Sequence, residues 1–234
     1  MSNATAQLRR VAPTVCLVAA AWACVAGVAA LLAHRSGIEL ASLSRDPAAV
    51  MQAPYYTGIL SLAGSMLWGV IVGVCLIGAR LHRVSDPGLS GFLRAGALLA
   101  LVLGADDTFQ LHDRILPLYL GTPESVIIGA YLGATGLFLW RFRRNILETD
   151  WTILLLGGAG FALSIGLDKL LEYGSVATFI EDVAKLLGIM MWSAYFTRAA
   201  STHALALATS PGHTASPAPP ATPVGVEPDS NRAA

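Results

Sequence analysis

Asp106, Asp107, His112 and Asp113 lie within one short stretch, Asp106-Asp107-Thr108-Phe109-Gln110-Leu111-His112-Asp113, which follows an uncharged run over 95–105. Carboxylates beside an imidazole can hold a hard divalent cation, activate a water or relay protons. Inside a run able to cross a bilayer such groups are costly, so their presence points to a site. Further acids recur at the corresponding end of later apolar runs: Glu124, Asp168, Glu172, Glu181 and Asp182, with Arg114, Lys169 and Lys185 as basic companions. These bases are too few to pair all the acids, which favours a site over an ion-pair network alone.

The elements that must position these groups follow from composition. With 55% hydrophobic and 13% charged residues, the chain departs from the balance of a soluble domain. Runs of about 20 apolar residues can cross a hydrocarbon core of roughly 30 Å as helices. They fall at about 11–33, 55–79, 92–113, 124–142, 151–172 and 177–197 by that length criterion. The expected fold is therefore all-α, a polytopic integral membrane protein forming a six-transmembrane-helix bundle. Residues 1–10 form a cytoplasmic N-terminus and 11–199 the membrane domain. The Pro/Ala/Ser/Thr-rich segment 200–234 is expected to be a disordered cytoplasmic tail.

Charge sets the orientation. Arg9, Arg10, Arg80, Arg83, Arg94, Arg141, Arg143, Arg144 and Arg198 flank alternate ends of the runs, so both termini are placed in the cytoplasm of an inner (plasma) membrane. The first run is longer than a signal-peptide core and is expected to be retained. His82 is expected in a cytoplasmic loop, and the outer loop over 38–53 is expected to hold a short interfacial helix. Gly69-x-x-x-Gly73, Gly129-x-x-x-Gly133 and Gly157, Gly158 and Gly160 are expected to let helices pack closely. Cys16, Cys24 and Cys75 lack disulfide or metal spacing and are expected to be buried packing residues. The chain carries 15 basic and 15 acidic residues, so no basic surface for nucleic acid is expected.

Depth and periodicity group the acids. At about 1.5 Å per residue, Asp106 is about 18 Å along its helix from Arg94, Lys185 about 20 Å and Glu181 about 25 Å from Arg198, and Asp168 about 25 Å from Trp151. They share a layer of the outer leaflet. In a regular helix Asp106, Gln110 and Asp113 share one face, while Asp107 and His112 project elsewhere. Pro117 predicts an end to that helix soon after His112, which would reorient the ring. Asp168 and Glu172 share a face, as do Glu181 and Lys185, and Asp182 reaches Lys185 at i, i+3. Thr122-Pro123-Glu124 predicts a helix start capped by Thr122.

These residues predict a metal site that acts on a lipid or lipid-linked substrate at the extracytoplasmic face. Asp106, His112, Asp113, Asp168 and Glu181 are the expected ligands of a divalent Mg, Mn, Ca or Fe ion, a harder set than zinc prefers. Asp107, Glu172 and Asp182 are expected as a general base or its support, with Gln110 and Lys185 behind the ligands. A proton- or cation-coupled transporter using the same acids is the alternative. The cytoplasmic halves of spans 3, 5 and 6 hold little polar beyond Ser164, Ser193 and Thr197, which disfavours conduction. A third alternative is a non-catalytic subunit whose acids pair with the helices of a partner.

Two families are similar in part. The arrangement of spans 3 to 6 resembles the membrane hydrolases grouped with alkaline ceramidases and adiponectin receptors. Those use three His plus Asp and Ser, whereas His112 and His34 are the imidazoles available here. Asp106-Asp107…Asp113 and Asp168…Glu172 loosely resemble the aspartate-rich motifs of UbiA-type prenyltransferases, with different spacing and too few helices. Neither motif is met, so the sequence assigns no family.

Overall fold

A computed structural model describes residues 3–170 and 174–209, all of whose regular structure is helical. The chain divides into two compact units, Met1–Ile59 and Leu60–Ala234. Among the described residues, three helical segments are long and apolar enough to cross a membrane, Arg9–Ser36, Ile59–Leu81 and Pro87–Phe109, and Trp151–Leu167 is a shorter apolar helix.

The first unit is α1 (Asn3–Ser36) followed by a short 3-10 turn and α2 (Pro47–Val50). α1 stops at Gly37, whose φ of +64° a glycine adopts without steric cost, and the Ile38 amide then donates back to Ala33 O at 3.2 Å. α2 is the short helix expected in the 38–53 loop. Asp46 caps it, accepting from the amides of Ala48 (2.8 Å) and Ala49 (3.3 Å), with Pro47 in the first position. Cys16 and Cys24 are exposed on α1 and only Cys75 is buried, so the expectation of three buried cysteines holds for one.

The second unit contains α3 (Ile59–Leu81), α4 (Pro87–Phe109), α5 (Leu116–Leu120), α6 (Glu124–Arg141), α7 (Arg143–Leu147), α8 (Trp151–Leu170) and α9 (Ser175–Thr209). α4 begins where Asp86 accepts from the Leu89 amide at 2.9 Å ahead of Pro87. The connection before it is pinned from two sides. The His82 Nε2–H donates to Ala200 O (3.1 Å), and Ser90 Oγ donates to Ala79 O (2.7 Å). His82 is thus in a loop, as expected, but buried within it.

The core is aromatic. Phe92 stacks on Phe138 (5.5 Å between centroids) and Phe196 (5.7 Å), while Trp68 lies 6.1 Å from Phe161 and 6.2 Å from Trp192. Close packing between helices accompanies these ring contacts. Of the glycines expected to permit it, Gly157 and Gly160 do so, whereas Gly158 and both Gly-x-x-x-Gly pairs do not. Gly69, Gly73, Gly129 and Gly133 have nothing within 4 Å of where a Cβ would stand, among the described residues. A Cβ on Gly160 would meet Gly188 N at 2.8 Å, and one on Gly157 would meet the Trp192 ring at 2.5 Å, so α8 and α9 touch backbone to backbone. On α4, Gly96 makes room for Phe196 and Gly104 for Trp68. Spacing alone does not reveal which glycines face a neighbour; rotation about each helix axis does.

Some boundaries shift. α4 ends at Phe109 rather than near 113, and α9 runs on to Thr209, past the expected domain edge at 199. Pro123 rather than Thr122 takes the cap position of α6, with no side-chain cap bond, while Glu124 lies in the first turn as expected. The rest of the expected tail, 210–234, lies outside the described residues.

Candidate functional site

The site begins with a break in α4. Gln110 takes a left-handed conformation (φ 53°, ψ 46°), and Leu111–Ile115 continues as a single π turn. A non-glycine residue in that region costs about 1 kcal/mol, which the bonds formed by the turn offset. The His112 amide donates to Asp106 Oδ1 at 2.8 Å, and His112 Nδ1 lies 2.5 Å from Asp106 Oδ2. A carboxylate only accepts, so Nδ1 carries the proton and Nε2 is left as the basic nitrogen. Regular periodicity turns His112 away from Asp106; the π turn brings it back. The same break removes the shared face predicted for Asp106, Gln110 and Asp113, and both Gln110 and Asp113 are exposed.

Asp106 is buried and its valences are filled. Tyr131 on α6 donates its hydroxyl to Oδ1 at 3.0 Å. Three donors therefore converge on one carboxylate near the C-terminal end of α4, the pattern that stabilises a buried anion.

The next two residues both reach α3, and Asp107 also reaches α9. Asp107 accepts from Trp68 Nε1 on α3 at 3.3 Å and pairs with Lys185 Nζ on α9 at 3.1 Å. Lys185 also reaches Asp182 at 3.4 Å. Thr108 donates to Ser65 Oγ on α3 at 3.0 Å. Successive residues of a helix point about 100° apart, so Asp106 meets α6 and the π turn while Asp107 and Thr108 meet α3, Asp107 also pairing with α9. Gly104, one turn earlier, lets the Trp68 ring lie against α4 so that its N–H reaches Asp107.

The expected site residues are thus sorted. Asp106 joins His112, and Asp107 joins Lys185 and Asp182. Glu181 lies half-buried on α9. Glu172 lies outside the described residues, as does the side chain of Asp168. Among the described residues no three His, Cys, Asp or Glu side chains are grouped to hold a metal ion. Tyr131 and Trp68 are the partners that sequence reasoning missed. Each is an unremarkable aromatic in an apolar helix, 25 and 39 residues from its carboxylate, and nothing in its neighbourhood signals a polar role.

Two further polar pairs lie toward the other end of the bundle. Tyr195, fully buried on α9, bonds Thr149 Oγ1 at 2.8 Å, and Arg198 pairs with Asp150 at 2.7 Å. The Asp150 carboxylate, hydrogen-bonded to the exposed Arg198, pushes the guanidinium pKa up. Both contacts fasten the start of α8 to α9.

No curated protein and no solved structure matches the chain. One family model does match, over residues 14–199, which include every element of the site. The chain therefore belongs to the family described as Domain of unknown function (DUF8692).

Proposed function

We propose that this is a six-span membrane protein whose outward-facing polar site performs acid–base chemistry, hydrolysing a lipid or lipid-linked substrate at the extracytoplasmic face. The observation that carries the reading is the Asp106–His112 pair. A buried carboxylate fixes Nδ1, orients the ring and leaves Nε2 on a half-exposed imidazole. This is the arrangement by which a carboxylate prepares a histidine to act as a general base. His112 would take the proton of an attacking water and return it to the leaving group. Asp106 is then a positioning residue, and Tyr131 holds Asp106.

The same orientation suits an imidazole that ligates a divalent metal through Nε2, because ligating histidines are fixed by a carboxylate on the other nitrogen. Asp107, Lys185 and Asp182 take the structural part, tying α4 to α9. The core beneath them is packed with Trp68, Phe92, Trp192 and Phe196, which supports a site closed on one side over a relay through the membrane.

The test is hydrolysis of a phospholipid panel by the full chain in lipid nanodiscs, alongside elemental analysis after chelator-free purification. His112→Gln should lower turnover by about 100-fold or more. Wild-type activity that survives this substitution would remove the proposal, and bound metal in stoichiometric amount would select its metal-assisted form.

A further inference from the structure

We infer that the turn carrying His112 docks the headgroup of an aminophospholipid, a phosphate ester bearing a primary ammonium, whose chains stay in the bilayer. The inference rests on the reading of His112 as the reactive group and names the substrate class for it. Three observations converge on one short segment. The π turn Leu111–Ile115 places Asp113 and Arg114, both exposed, directly after the half-exposed His112. Among the described residues, neither the Arg114 guanidinium nor the Asp113 carboxylate makes a hydrogen bond or an ion pair. The turn runs straight into α5, where Leu118 (76%), Tyr119 (71%) and Leu120 (69%) are exposed.

A five-residue helix with three exposed apolar side chains at the end of a membrane-crossing helix belongs at the headgroup boundary. There Leu118 and Leu120 meet acyl chains, and the tyrosine sits at headgroup depth. The charges beside it then choose among headgroups. A guanidinium recognises a phosphate, and a carboxylate recognises an ammonium. A headgroup carrying only negative charge would satisfy Arg114 but face Asp113, with Asp106 and Glu124 adding negative potential around His112. A bare amine would leave Arg114 unmatched. A choline headgroup carries both charges but has no N–H to donate to Asp113. The primary ammonium with its phosphate matches both groups.

The full-length protein is reconstituted in nanodiscs of phosphatidylcholine alone, or with added phosphatidylethanolamine or phosphatidylglycerol. Retained lipid is counted by native mass spectrometry, and the His112 ring is followed by nitrogen NMR. Phosphatidylethanolamine should be retained selectively and should shift the His112 signal. Arg114→Gln and Asp113→Asn should each reduce retention about tenfold, the loss of one charge-assisted contact, with melting unchanged. His112→Gln should still retain the lipid. Equal retention of the three headgroups, preference for phosphatidylglycerol, or full retention by Arg114→Gln overturns the inference. Selective retention without hydrolysis leaves it standing and removes the acid–base reading instead.

Discussion

Replacing Asp106 tests the centre of the site most directly. Asp106→Ala removes the acceptor of three bonds: His112 N–H at 2.8 Å, His112 Nδ1–H at 2.5 Å and Tyr131 O–H at 3.0 Å. Bonds to an ionised acceptor contribute about 1.5–3 kcal/mol each. Two of the three hold the π turn, and a loosened turn recovers part of the loss by hydrating its donors. The turn should therefore open about 3 kcal/mol more easily, and the His112 amide should exchange roughly 150-fold faster. Asp106→Asn separates geometry from chemistry. It keeps an oxygen for the His112 amide and Tyr131 but presents an NH2 group to Nδ1, so the ring proton moves to Nε2. Exchange should then rise only about tenfold, while the base at Nε2 is lost. Hydrogen–deuterium exchange of 111–115 and nitrogen NMR of the imidazole read the two effects. An unchanged His112 amide in Asp106→Ala, or a proton still on Nδ1 in Asp106→Asn, would refute the account of the turn.

Other outcomes follow from the packing. Lys185→Met strands Asp107 and Asp182 and should cost about 2 kcal/mol, a figure kept low because Lys185 is partly exposed; the Asp107→Asn/Lys185→Met pair should regain most of it in detergent melting. Gly160→Val should destabilise by at least about 2 kcal/mol, because its Cβ meets the α9 backbone. Gly129→Ala should be neutral or stabilising by up to about 1 kcal/mol, and a large loss of melting temperature would show that this face is packed. Tyr195→Phe should cost about 1 kcal/mol, since Thr149 already donates to backbone carbonyls of its own turn.

The residues of the candidate site were visible in the sequence because charge in an apolar run is rare and costly. Asp106 and His112 stood out on type and depth alone, and Pro117 signalled an end to their helix soon after His112. Their direct contact was not legible. A helix that stays regular turns His112 away from Asp106, and the break depends on Gln110 accepting a left-handed conformation that no nearby glycine announces. The i, i+3 contact of Asp182 with Lys185 was legible because one helix fixes it, whereas the Asp107–Lys185 pair joins two helices.

Composition and apolar run length by themselves determined the all-α class and the apolar helices able to cross a membrane, and the loop over 38–53 was expected to hold a short helix, since these depend on local chemistry. Only the tertiary structure decided which glycines touch a neighbour, which acid meets which base, and that Tyr131 and Trp68 complete the two carboxylates. Those outcomes depend on how each helix is rotated and how far it slides against the next, and that choice is made by the packing of distant side chains rather than by any local pattern.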